Sequence, residues 1–171
     1  MAATRSANAT IAGYIYQFDY IIKCLLALDN ENDYVDIENI EDIDIHSTTE
    51  DAAIQCKYYA GSEYNHSEIA KPISFMLKHF SDVKKGITQP INYKLYGFYQ
   101  SGQDKLPALI TVDFLKSHLL TYTEKSVQYK WHEKLGLSDY ELAEFLTFLS
   151  VNINAEEDSA QFKKIISGLQ T

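Results

Sequence analysis

An acid, an amide and a lysine form the set of residues best suited to chemistry in this sequence: Asp42, Gln55 and Lys57. Hydrolysis of a phosphodiester needs a hard cation that polarises the phosphate and lowers the pKa of an attacking water. Mg²⁺ prefers oxygen ligands and keeps several of its waters. Asp42 would supply a carboxylate, Gln55 a side-chain carbonyl, and the main chain of Cys56 a third oxygen. Lys57 would orient the water or stabilise charge that develops on the phosphate.

A β-hairpin would bring these residues together, because polar and apolar residues alternate on both sides of a polar turn, as in half-buried strands. In the register that we expect, Asp42 lies opposite Lys57 and Asp44 lies opposite Gln55. Opposite side chains point to the same face of the sheet, with Cβ atoms about 5 Å apart. A slip of one residue would scatter the set. Glu41 alternates to the other face from Asp42, and we expect it to be exposed to solvent.

Helical periodicity and strand alternation predict the remaining architecture. The expected elements are a helix over residues 9–29, strands over 34–40, 42–46 and 52–59, a helix over 67–85, a strand over 93–99, and helices over 111–119, 138–153 and 156–169. In the first helix an apolar stripe recurs at helical spacing: Ile11, Ile15, Phe18, Ile22, Leu25 and Leu28. A second face carries Gly13, Gln17, Tyr20 and Cys24. This order favours the α/β class, with a mixed sheet flanked by helices.

Composition is that of a soluble globular domain, with 171 residues, 46% hydrophobic and 23% charged. The two cysteines, Cys24 and Cys56, form no CxxC pair, so we expect reduced thiols, no zinc site and a cytoplasmic location. No apolar stretch is long enough for a membrane span. The net charge of −9 and the pI of about 4.9 argue against a protein that grips DNA unaided. Metal ligands, or a partner that holds the DNA, would reconcile this charge with a nuclease.

Three short motifs occur in order along the chain: G-x-x-x-Q over residues 13–17, E-x-x-x-D over residues 38–42 and Q-x-K over residues 55–57. Together they resemble the nuclease domains of bacterial antiphage effectors in the PD-(D/E)xK, restriction-endonuclease-like superfamily. The resemblance covers residues 10–100. It implies a restriction-endonuclease-like core over residues 1–110 and a helical extension over residues 111–171, packed as one compact unit.

The resemblance also implies the roles of individual residues. Asp42 would be the first metal-binding acid, Gln55 would replace the usual glutamate of an E-x-K element, and Lys57 would be the catalytic lysine. Gln17 and Glu38 would be supporting residues of the site. Asp42 and Gln55 would together bind Mg²⁺ or Mn²⁺, although an amide binds a divalent cation more weakly than a carboxylate does.

The activity implied is metal-dependent cleavage of double-stranded DNA in antiphage defence. Related domains imply a sensor or ATPase module, fused or separate, and an oligomer that places two active sites across a duplex. Four residues are candidate DNA contacts: Tyr58, Tyr59, Lys71 and Lys78. Their alternative roles are ordinary packing for the tyrosines and a solvated helix face for the lysines.

Two other functions remain open on the sequence. One is an inactive nuclease fold that binds protein or nucleic acid, which the acidic pI and Gln55 favour. The other is a structural adaptor whose C-terminal helices assemble a larger complex. In either case Asp42 and Asp44 would be the solvated face of a strand, and Lys57 would be a simple ion-pair partner.

Overall fold

The chain forms an α/β structure built on a mixed five-stranded sheet. The computed structural model describes residues 2–124 and 126–169. The order of strands in the sheet is β1-β2-β3-β4-β7, with these bounds: β1 Tyr34–Ile37, β2 Ile43–His46, β3 Asp51–Glu63, β4 Asn92–Ser101 and β7 Leu149–Asn152. Strands β1, β2 and β3 form an antiparallel meander at one side of the sheet.

Six α-helices accompany the strands in the described part of the chain: α1 Ala2–Leu26, α2 His66–Lys84, α3 Val112–Phe114, α4 Trp131–Leu135, α5 Asp139–Phe148 and α6 Asp158–Gly168. A short 3₁₀ helix spans Gln103–Lys105, and a π-helix over Leu115–Leu119 continues α3. Helix α5 begins with a capping box, in which the Ser138 hydroxyl accepts from the Glu141 N–H and the Glu141 carboxylate accepts from the Ser138 N–H. Within residues 2–124 and 126–169, no helix is long and apolar enough to cross a membrane.

The chain divides into two compact units. The first comprises residues 1–63, 94–101 and 151–171, and the second comprises residues 64–93 and 102–150. The first unit contains α1, the β1–β3 meander and α6. The second contains α2 to α5 and a separate two-stranded hairpin, β5 Thr121–Glu124 and β6 Val127–Lys130.

The core of the first unit lies between α1 and the sheet. Tyr16 and Cys24 of α1 are buried against Ile43 of β2 and Ile54 of β3. Aromatic rings fill much of the remaining space: Tyr20 stacks on Tyr96 with centroids 4.0 Å apart. Large flat side chains bury more apolar area per residue than any others, so they anchor the helix efficiently on a small sheet.

The face of α1 that packs on the sheet is the one with tyrosines and small residues, whereas the aliphatic stripe is exposed. The exposed side chains are Ile11, Ile15, Phe18, Ile22 and Leu25. The helix also ends at Leu26, earlier than expected, and the segment that follows includes Leu28. Periodicity therefore located an apolar stripe correctly but could not tell which of two apolar faces the sheet would cover.

The hairpin between β2 and β3 is confirmed, but its register differs by two residues from the one expected. Ile43 pairs with Ile54, and Asp44 pairs with Ala53. The turn comprises residues 47–50, and within it the Ser47 hydroxyl accepts from the Glu50 N–H at 2.9 Å. A shift of two residues preserves the sheet face of every side chain, so Asp42 still faces the strand that carries Gln55.

The segment 111–171, expected to be helical, also contains three strands. Hairpin β5–β6 follows α3 in the chain. The helix predicted for residues 138–153 ends at Phe148, and the next four residues form strand β7 instead. Residues 149–152 are Leu, Ser, Val and Asn, an alternating run that fits either structure at this length. Pairing in the sheet decided in favour of the strand.

Both thiols are expected to resist alkylation in the native protein. Cys24 and Cys56 are buried, and burial raises the pKa of the Cys24 thiol to about 11. This shift lowers its thiolate fraction at neutral pH by about a hundredfold. Iodoacetamide labelling followed by mass spectrometry should show slow reaction in buffer and rapid reaction of both thiols in denaturant. Rapid native labelling would contradict the packing of α1 on the sheet.

Candidate active site

The loop between β1 and β2 presents the candidate catalytic acid. Its Glu38 has a positive φ of 58°, and the Glu38 N–H donates to the Asp42 carbonyl at 3.3 Å. Inside the loop the Asp44 carboxylate accepts from the Ile40 N–H at 2.7 Å. Asp44 is therefore a structural residue that shapes the loop, and it does not lie opposite Gln55 as expected.

Asp42 is anchored by donors from β3. Its Oδ2 accepts from the Cys56 N–H at 2.9 Å and also from the Gln55 side-chain amide. Burial raises the pKa of the Asp42 carboxyl, against the opposing effects of the Cys56 N–H and the Lys57 ammonium. Both of these hydrogen bonds reach Oδ2, so β3 fixes the orientation of the carboxylate.

Gln17 joins the site from helix α1. Its Nε2 donates to the main-chain carbonyl of Asp42 at 3.4 Å. Gln17 therefore contacts the main chain of the loop that carries Asp42 rather than its carboxylate. This contact ties the first helix to the hairpin at the point where the acid is presented.

Lys57 lies on β3 at the wall of an open pocket of about 450 Å³ that Gln17 and Asp42 also line. Beneath it on β4 is the buried Gly97. A Cβ built at Gly97 would lie 3.4 Å from the Cβ of Lys57 and 2.9 Å from Cε2 of Tyr99. The missing side chain at this position thus leaves room for the lysine stem and the tyrosine ring beside it.

Glu41 is the residue that sequence reasoning placed wrongly. It was expected to be exposed, yet its exposed fraction is 9%. Burial and the neighbouring Asp42 and Asp44 carboxylates raise the pKa of Glu41 to about 8, while Lys57 acts in the opposite direction. Glu41 lies in the loop rather than in a strand, so the alternation rule does not apply to it.

The remaining predicted site residues are placed as follows. Glu38 is exposed and close enough for its charge to raise the pKa of Asp42. Tyr58 stacks on Tyr16 with centroids 4.6 Å apart, and Tyr59 stacks on Tyr99 at 5.2 Å. Both tyrosines also line the pocket, so packing and substrate contact are compatible for them. Two further candidates, Lys71 and Lys78, lie exposed on α2 in the second unit.

Most of the oxygen atoms that this site could offer a metal belong to neutral groups. Within the described ranges 2–124 and 126–169, no three His, Cys, Asp or Glu side chains form a group that could hold a metal ion. A cation at Asp42 would therefore rely on one carboxylate, the Gln55 amide, the Cys56 carbonyl and water. Mg²⁺ tolerates such a set, because it usually keeps several waters.

No family model, curated protein or solved structure matches this chain. Its chemistry is therefore inferred from the donor atoms and the pocket themselves. The geometry brings Asp42, Gln55 and Lys57 together with Gln17, and it adds Glu41, whose position beside Asp42 in sequence was the one available signal.

Proposed function

We propose that this protein is a metal-dependent endonuclease that hydrolyses the phosphodiester bonds of double-stranded DNA, with a restriction-endonuclease-like core. The observation that supports this most is that the Asp42 carboxylate accepts from the Gln55 amide and lines one open pocket together with Lys57. A carboxylate held in place near a lysine can bind a divalent cation and stabilise charge on a phosphate, which are two contributions that phosphodiester hydrolysis uses.

The donor set fits a hard divalent cation, Mg²⁺ or Mn²⁺. Asp42 would hold it through its carboxylate, which the Cys56 N–H fixes in place by donating to Oδ2. Gln55 would add its side-chain oxygen after rotation of the amide. When bound, such a cation polarises the scissile phosphate and lowers the pKa of a coordinated water.

Each protein side chain then has a defined task. Lys57 stabilises the negative charge that develops on the phosphate oxygens or holds the attacking water in place. Gln17 keeps the Asp42 loop against α1, so that the carboxylate is presented at one fixed position. The pocket beside them, lined by Tyr58 and Tyr59, offers aromatic surfaces on which bases can stack.

The net charge of −9 leads us to propose that DNA is held in part by something other than this chain. A sensor or ATPase module, fused or separate, would supply that grip and the activating signal, in an oligomer that acts in cytoplasmic antiphage defence. The two buried, unpaired thiols are consistent with a reducing compartment.

Plasmid cleavage tests the proposed activity. Supercoiled DNA should be nicked or linearised in Mg²⁺ or Mn²⁺ at low salt, should remain intact in EDTA, and should remain intact with Asp42→Asn in either metal. Cleavage that continues in EDTA, or that Asp42→Asn leaves unchanged, would refute a metal site at this carboxylate.

Gln55→Glu tests the metal ligands without relying on catalysis. In the variant a second carboxylate would replace the amide that donates to Asp42. We expect destabilisation of about 1–3 kcal/mol in EDTA. Mn²⁺ should then raise the melting temperature of the variant more than that of the wild type, because a divalent cation relieves the repulsion. Thermal unfolding followed by circular dichroism measures both effects.

Gln161→Glu is the matched control for this experiment. Gln161 is also buried and donates its amide to the main-chain carbonyl of Tyr16 at 2.9 Å. The variant should be destabilised in EDTA by the buried charge, but Mn²⁺ should not restore it because Gln161 is not among the proposed metal ligands. An equal response of the two variants to Mn²⁺ would count against Gln55 as a ligand.

The second candidate function is an inactive nuclease fold that binds a partner. Its specific support is that Oδ2 of Asp42 accepts hydrogen bonds from the Gln55 amide and the Cys56 N–H, as a purely structural carboxylate would. Under this alternative, Mn²⁺ has no effect on the unfolding of the wild type or of Gln55→Glu.

A further inference from the structure

Helix α1 exposes a row of large apolar side chains on the face that points away from the sheet. The opposite face buries Tyr16, Ile21 and Cys24. The exposed row comprises Ile11, Tyr14, Ile15, Phe18, Ile22, Leu25 and Leu26. Single exposed apolar residues are ordinary on a soluble protein, whereas a contiguous patch of them marks an interaction surface.

The spacing within this row is that of a helix that pairs with another helix. We define the α1 seam as the residues separated by steps of four, three, four and three: Ile11, Ile15, Phe18, Ile22 and Leu25. These steps are the a/d alternation of a heptad repeat. Ile15 and Ile22 occupy a positions, and Ile11, Phe18 and Leu25 occupy d positions. Asn8 falls at the preceding a position. β-branched residues at a favour pairs of helices, and a single asparagine at a sets the register.

The charge of α1 favours self-association. The chain as a whole has a net charge of −9, but the only charged residues of α1 are Arg5, Asp19 and Lys23. Two copies of this helix would therefore meet without the like-charge repulsion expected between other acidic surfaces of the chain.

The exposed area is also sufficient. The row on α1 presents side chains that are each roughly half exposed, together with Phe162, Ile166 and Leu169 of α6, which packs beside α1. The combined area is on the order of 1,000 Å² per copy, against about 800 Å² per partner in a standard stable interface.

We propose that the α1 seam is a dimerisation surface, which packs against the α1 seam of a second copy of this chain around a twofold axis. A twofold contact is self-complementary, so one apolar row suffices for both partners. None of the five residues of the α1 seam lines the pocket beside Asp42. The proposal therefore does not depend on the nuclease chemistry.

Sedimentation equilibrium over a wide range of protein concentration tests this dimer. The wild type should fit a reversible dimer. Phe18→Glu and Ile15→Glu place a charge in the centre of the seam, and each should weaken association by about a hundredfold or more. Circular dichroism should be unchanged, because both side chains are exposed in the single chain.

Phe75→Glu is the matched control, because Phe75 is also a helical phenylalanine and is 51% exposed, against 53% for Phe18. This variant should dimerise like the wild type. A monomeric wild type, a dimer that both seam variants leave intact, or equal weakening by Phe75→Glu would overturn the proposal. A wild type that is monomeric but binds phosphatidylcholine vesicles through α1 would overturn it in favour of a membrane surface.

Discussion

Lys57→Ala is expected to lower metal-dependent DNA cleavage by about 100- to 1,000-fold while leaving the fold intact. Lys57 is half-buried beside the pocket and acts on the local electrostatics of Glu41 and Asp42. Removal of its ammonium takes away the positive charge proposed to stabilise the transition state. Initial rates of plasmid cleavage in Mn²⁺, at saturating protein, measure the loss.

Lys163→Ala is the control, because it makes the same substitution at an exposed lysine of α6 in the same unit. Its cleavage rate should equal that of the wild type. Binding of a DNA duplex to Lys57→Ala should persist, since the proposed role is in the chemical step. Equal rates for Lys57→Ala and wild type would remove Lys57 from the catalytic set and point to a different site or a contaminant.

Ile54→Ala is expected to destabilise the protein by about 2–5 kcal/mol. Ile54 is 1% exposed and packs between the sheet and α1, opposite Ile43 on β2. The substitution would leave a cavity beside Gln55, in the strand that positions the candidate site. Urea unfolding followed by circular dichroism should show a lower midpoint with an unchanged slope.

Ile37→Ala provides the comparison within the same sheet. Ile37 lies on β1 and is 52% exposed, so its loss should change the free energy of unfolding by less than about 1 kcal/mol. Similar destabilisation by the two variants would show that the core of this unit is not where α1 meets the sheet.

Short-range patterns in the sequence determined the elements that carry the candidate site. Alternation located the two strands of the hairpin, and the chemical types of Asp42, Gln55 and Lys57 identified them as a set. The predicted register was wrong by two residues. Because side chains alternate with a period of two, the prediction that these residues share one face of the sheet does not depend on that error. Helix periodicity likewise located α1 and its aliphatic row.

Only the tertiary structure decided what the sheet covers and what the loop buries. The aliphatic row of α1 is exposed because tyrosines and small residues pack against the sheet instead, a choice that depends on side chains distant in sequence, such as Tyr96. Glu41 is buried because the loop wraps its main-chain N–H groups around Asp44, which no strand pattern predicts. Local periodicity predicts which faces of a helix or strand are apolar. Whether such a face is buried depends on the surface that packs against it, and the residues of that surface are distant in the sequence.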